Sequence, residues 1–297
     1  YSVGFLLENG FTMDNGAAGE DGKAFSKQAT LSLSGNFGEL AFGRMGGLAS
    51  YEGSYSIWDA SPLGTDYLQG GLGNTFVTGQ INNNSIVYVS PEFGGLKIHA
   101  QYSNGVEEDT QKWSRNSHYY GLGATYEIGN LSLAGIVERF DNKGAENKDK
   151  DKATMVYSLS AAYDFEVAKA FFGYQYASRF HGFDQLEDVT VAGKGMNQNA
   201  FTLGAEVPAA GGTFKVAANY GFGKVKSADG VVVGDEKLSN DKFNRVTVGA
   251  AYEYPLSKRT FVYGWGAYAT AGKMLKEKAV EENFKSWSLG LGLHHAF

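Results

Sequence analysis

Ionisable side chains recur on the polar side of alternating sequence segments, among them Lys97, His99, Glu127, Glu138, Lys169, Glu206, Lys215, Arg245 and Glu253. Groups of both signs, spread along a surface, create a field that orients ions and dipolar solutes near it. A reaction centre needs more: a nucleophile and base within hydrogen-bond reach, or a convergent acid–histidine pair. Ser, His and acidic residues meet here only by chance proximity in sequence. The five histidines (His99, His118, His181, His294 and His295) show no metal-ligand spacing. The chain has no cysteine, which excludes thiolate metal sites, disulfides and thiol nucleophiles. No enzyme activity, metal or cofactor is expected.

The elements that must position these groups repeat with period two, the signature of strands whose side chains alternate between faces. In 154–165, Met155, Tyr157, Leu159, Ala161, Tyr163 and Phe165 share one parity, while Thr154, Ser158, Ser160 and Asp164 take the other. Leu96, Ile98, Ala100 and Tyr102 oppose Lys97, His99 and Gln101. Phe172, Tyr174 and Tyr176 oppose Lys169, Gly173 and Gln175. Phe214, Val216, Ala218 and Tyr220 oppose Lys215, Ala217 and Asn219, and Val246, Val248, Ala250, Tyr252 and Tyr254 oppose Arg245, Thr247, Gly249 and Glu253.

The 297 residues include 41 Gly, 18 Tyr and 20 Phe but only 4 Pro. No apolar run approaches the roughly 18–20 residues of a membrane-spanning helix. A net charge of -6 argues against nucleic acid as a partner. This combination suits an all-β fold, a transmembrane antiparallel β-barrel with apolar residues toward lipid and small polar ones toward water. A soluble sandwich also alternates, but it buries its apolar face. Here the polar face is small and weakly charged, and aromatics gather near strand ends (Tyr119, Tyr120, Tyr126, Tyr252, Tyr254, Phe261, Tyr263, Trp265). Such aromatics suit the two lipid–water interfaces.

Connections alternate as well. Short turns are expected at 35–38, 91–94, 129–130, 165–167, 208–212 and 255–258. Long polar loops are expected near 13–25, 47–83, 105–116, 141–152, 179–199, 223–243 and 270–284. Fourteen strands result, from Tyr1–Thr12 to Lys285–Phe297, in one barrel domain spanning 1–297. The last strand alternates through Trp287, Leu289, Leu291 and Leu293 and stops on Phe297, the pattern that barrel-insertion machinery reads.

The order and spacing of motifs along the chain resemble the trimeric general porins of Gram-negative bacteria. The resemblance is carried by Leu6–Phe11 with Asn15-Gly16, Phe25–Ala29, Phe37–Arg44, Asn84–Leu96, Ser257–Thr260 and Leu293–Phe297. It implies a 16-stranded outer-membrane barrel, and hence that two N-terminal strands, roughly 50 residues, are absent from this chain. A native 14-stranded barrel is the competing reading. The resemblance further implies a homotrimer set in outer-membrane lipid and lipopolysaccharide, with a water-filled channel for small hydrophilic solutes and ions.

The same resemblance implies that the long third loop, Gly46–Asn83, folds into the lumen. Its aromatics (Tyr51, Tyr55, Trp58, Tyr67, Phe76) are too many for a free surface loop. At the constriction, loop carboxylates Glu52, Asp59 and Asp66 would face Arg44, which matches the family's Gly-Arg, and Lys27, which stands where the family usually has Arg. Arg44 shares parity with the outward Leu40 and Phe42, so an inward course requires a bulge or loop start. Asp59 and Asp66 could instead cap turns, Arg44 could anchor an interface, and Lys27 could snorkel. Lys97, His99, Lys169, Lys215, Arg245 and Glu253 would line the lumen wall, Lys97 and Lys169 in a vestibule near short turns. A channel specific for a sugar or organic anion is the alternative. It requires a track of inward aromatic or basic groups, and Phe171 and Tyr268 are too few to make one.

Overall fold

A computed structural model describes residues 1–11, 15–17, 24–50, 53–63, 75–77, 81–105, 113, 116–141, 153–183, 186–190, 195–226, 232–233, 236–238, 240–277 and 285–296. Its main strands are β1 (Ser2–Glu8), β2 (Gln28–Gly35), β3 (Gly38–Gly46), β4 (Ile81–Val89), β5 (Leu96–Asn104), β6 (His118–Ile128), β7 (Leu131–Asp141), β8 (Thr154–Asp164) and β9 (Lys169–Phe180). They continue with β12 (Met196–Ala209), β13 (Gly212–Val225), β16 (Lys242–Ser257), β17 (Thr260–Lys273) and β18 (Ser286–His295). These fourteen form one sheet in sequence order. The remaining strands are two short hairpins inside long connections, β10 (Gly182–Phe183) with β11 (Leu186–Thr190) and β14 (Val232–Val233) with β15 (Glu236–Lys237).

Short turns connect strands where they were expected, except that the one expected at 255–258 falls at 258–259, because β16 stays paired through Ser257. Gly35 pairs with Gly38, Ala209 with Gly212 and Ser257 with Thr260, each closing an antiparallel hairpin. Contacts divide the chain into two compact units. One comprises Tyr1–Trp58, Thr78–Glu127 and Ala134–Met155; the other comprises Asp59–Val77, Ile128–Leu133 and Val156–Phe297.

In the first unit, Leu31, Leu33, Phe42 and Ile86 are exposed, while Gln28, Thr30, Ala41, Ser85 and Val87 are buried. In the second unit the contrast is sharper. Tyr157 and Leu159 are 43% and 56% exposed, and their strand neighbours Ser158 and Gln175 are 1% exposed. Leu203, Val248 and Leu291 join the exposed set; Thr202, Asn219 and Thr247 join the buried one. A soluble sandwich would bury the apolar face and wet the polar one. This sheet does the reverse.

One expectation is corrected by the register. Tyr268 pairs with Val248 and Trp287, both exposed, so it belongs to the apolar face and not the polar one. The aromatics that β17 turns to the polar face are Tyr263 and Trp265, one residue out of phase with the outward Val262 and Tyr268, so these two, like the fully buried Tyr119 on β6, do not join the lipid-facing aromatics expected at strand ends.

Candidate functional site

The third loop lies against the polar face within each unit. In the first unit its opening is bolted to β6 and β7. The Leu48 N–H donates to Tyr119 Oη at 2.8 Å, Tyr119 Oη donates to Glu138 Oε1 at 2.7 Å, and the Ala49 N–H donates to the same oxygen at 3.2 Å. Tyr119 and Glu138 are both fully buried. Gln101 Nε2 donates to the Gly46 carbonyl at 3.1 Å, and Gln28 Oε1 accepts from the Ser54 N–H at 3.1 Å. Ile57 then lies over Gly123, where a Cβ would come within 2.6 Å of its Cδ1. Tyr55 Oη donates to Glu39 Oε1 at 2.6 Å. Burial, aided by that carboxylate, pushes the Tyr55 phenol far above its usual range and keeps it a neutral donor.

In the second unit Pro62 sits where a side chain on Gly204 would be, so glycine is what lets the loop approach β12. Leu63 packs with Ala217 and Ala251, and Tyr263 and Trp265 flank this cluster. The returning arm is clamped by two more glutamines. Gln175 accepts from the Val77 N–H at 2.7 Å and donates to the Val77 carbonyl at 3.0 Å, a two-point grip like that of a paired strand. Gln198 Nε2 donates to the Thr75 carbonyl at 2.7 Å. A loop backbone packed on a wall needs partners for its buried polar groups. Four buried glutamines, Gln28, Gln101, Gln175 and Gln198, supply many of them.

Sequence reasoning looked for charge and passed over these amides. The signal was present, because all four stand on the polar parity of their strands. An amide that both donates and accepts is the side chain suited to holding backbone.

The expected charged residues divide. Asp59 Oδ2 is 3.6 Å from Lys169 Nζ, so a loop carboxylate expected at the constriction meets a lysine expected in a vestibule. Lys215 Nζ lies 2.7 Å from Glu253 and 3.5 Å from Glu206, forming a cluster of one cation and two anions. Arg245 is buried on the same face of β16. Lys97 pairs with Glu92 at 3.6 Å near the β4–β5 turn, and His99 Nε2 meets Thr125 Oγ1 at 3.2 Å.

The bulge expected near Arg44 is there, between Gly43 and Met45. It does not turn Arg44. The extra residue falls on β4, and Arg44 remains opposite Ala29, in phase with the exposed Leu31 and Phe42. Its guanidinium is held by the Ser26 carbonyl at 2.8 Å and by the Asn83 side chain, tying strand ends together. Lys27 precedes β2 and alternates with Gln28, which takes the polar-face position. Glu52, Asp66 and Phe297 lie outside the described residues.

Comparison with known proteins agrees with this architecture. A family model described as Gram-negative porin matches residues 1–273. The chain is 29% identical to an outer membrane porin protein of Bordetella pertussis, over 99% of this chain and 77% of that protein. It is 28% identical to outer membrane porin protein 32 of Delftia acidovorans, over 99% and 82%. Among solved structures, an anion-selective porin from Comamonas acidovorans is 26% identical with a TM-score of 0.61, covering 99% of this chain and 84% of that one. A porin refined at 1.8 Å resolution shares the fold at 15% identity, with a TM-score of 0.57 over 98% and 90%.

Proposed function

The chain belongs to the Gram-negative porin family, and from that premise we propose that it is a general diffusion porin whose third loop, fixed by the four glutamines and by Tyr119–Glu138, narrows a weakly selective lumen. It is an outer-membrane β-barrel channel protein. The observation that carries the finer reading is the loop's backbone, hydrogen-bonded to polar-face side chains on β2, β5, β7, β9 and β12. A loop so held is a fixed restriction that sieves by size.

Charge preference then follows from groups on that restriction. In the second unit Lys169, Lys215 and Arg245 stand against Asp59, Glu206 and Glu253, three of each sign, and most are paired locally. Paired charges of opposite sign leave a small residual field, which supports weak selectivity. The related anion-selective porin favours an anion lean, supplied by Lys169 wherever Asp59 does not hold it. Glu52 and Asp66 are assigned to the same restriction. Arg44 and Lys27 are assigned to the outer mouth, acting on entry and not at the narrowest point. The apolar faces of β2 and β3, with Ala29, Leu31, Leu33 and Phe42, are assigned to homotrimer contact; the remaining apolar surface meets lipid and lipopolysaccharide. Phe297 is assigned to recognition by the insertion machinery.

Planar-bilayer recording tests this directly. The protein is expected to open stable, weakly rectifying channels. In a KCl gradient, Asp59→Asn is expected to shift the reversal potential toward anions by freeing Lys169. An unshifted potential would remove Asp59 from the conduction path. In vesicle swelling, solute entry should fall smoothly with size.

A further inference from the structure

We propose that the polar face beside Pro62 and Leu63 carries a binding subsite for a neutral pyranose sugar, built from Trp265 and Tyr263 as a stacking platform and from Glu253, Glu206 and Lys215 as hydrogen-bonding groups. The inference deepens the channel reading and rests on it. The platform follows from the register. Trp265 lies opposite Gly290 and Tyr263 opposite Gly292 on β18. A Cβ built on either glycine would collide with the facing ring: with Nε1 and Cε2 of Trp265, and with Cζ and Oη of Tyr263. Each ring therefore occupies the space that a side chain on β18 would fill, and both rings also pack against the Leu63, Ala217 and Ala251 cluster. Both side chains stay partly exposed. They are one strand-turn apart on the same face of β17 and form a continuous apolar strip.

The polar groups sit beside this strip. Glu253 pairs directly with Tyr263, and Lys215 pairs with Ala251, which pairs with Trp265. Glu206 pairs with Lys215 in turn. Pro62 over Gly204, and Leu63 against Ala251, bring this part of the loop to the border of the same patch. A solute passing this part of the loop passes the aromatic strip.

The chemistry selects the ligand class. An aromatic face is the negative pole of the ring quadrupole and attracts weakly positive C–H groups. A pyranose presents such C–H groups on one face and hydroxyls around its rim. Each hydroxyl both donates and accepts, so it engages carboxylate and ammonium together. A free organic cation is less suited, because Lys215 already neutralises one of the two carboxylates at 2.7 Å. A few convergent polar groups beside an aromatic surface are the usual makings of a small-molecule site.

The test is current block in a planar bilayer. Glucose has the ring; sorbitol is a polyol of nearly the same size without it. The two are compared at matched bulk conductivity. Glucose is expected to reduce the open-channel current beyond sorbitol and to add fast current noise. Trp265→Leu and, separately, Tyr263→Leu are expected to lose this excess, each measured against its own sugar-free current. Equal reductions by the two polyols in the unaltered protein would overturn the subsite, even if neither variant folds. So would an excess block that survives in both variants. Failure of the channel reading would look different, since no sugar-free current would be seen at all.

Discussion

Replacing Lys215 by methionine is expected to make the channel distinctly more cation-selective. Methionine keeps an unbranched chain of similar length and removes only the ammonium. Glu206 and Glu253, which Lys215 now approaches at 3.5 and 2.7 Å, then keep their charge with one cation fewer beside them. In water, one unit charge at about 5 Å is worth roughly 0.8 kcal/mol, about a fourfold change in local cation occupancy. The reversal potential in a salt gradient reads this shift. Lys215→Arg keeps the charge and should stay near the parent value. A Met variant indistinguishable from the Arg variant would mean that this cluster lies off the conduction path.

The second large effect concerns the bolt at the loop's start. Glu138→Leu leaves the Tyr119 hydroxyl and the Ala49 N–H without their shared acceptor, in a place water does not reach. A buried donor left unpaired costs about 1–3 kcal/mol, so with two donors the variant should lose about 2–6 kcal/mol of local stability. The loop arm is expected to detach before the sheet does. Single-channel current should rise and become noisy, and the unfolding temperature in detergent should fall. Glu138→Gln retains an acceptor oxygen and is expected to restore a quiet current. Equal behaviour of the Leu and Gln variants would argue that Ile57 over Gly123 and the glutamine clamps hold the loop without help.

Most of the sheet was legible in the sequence because a strand with one face toward lipid has nothing to blur its alternation. Tyr157, Leu159 and Leu203 against Ser158 and Thr202 read correctly, and so did the turn at Ala209–Gly212. Tyr268 was misread because β17 has aromatics on both parities, Tyr263 and Trp265 inward and Tyr268 outward, and glycine and alanine between them carry little directional signal. Arg44 shows a different limit. Sequence parity and the need for a bulge were both visible, but which strand would hold the extra residue depends on backbone pairing with β4. The Asp59–Lys169 contact joins residues more than a hundred positions apart through a loop with no periodicity. The clamping glutamines were visible as polar-face residues, yet nothing local distinguishes an amide that grips a loop from one that meets water.

The apolar side of each of the fourteen strands faces lipid, and the polar side faces a wet interior. The chain has no cysteine of its own, so single cysteines report cleanly. In membranes, cysteines replacing Leu159, Leu203 and Leu291 are expected to resist a charged, water-soluble thiol reagent and to be quenched by lipid-borne quenchers when labelled. Cysteines replacing Lys97, Thr213 and Ser288 are expected to react readily and to reduce channel current as they do. Rapid reaction at the three leucine positions, with protection at the other three, would mean that the apolar side is the wet one and that no polar lumen exists.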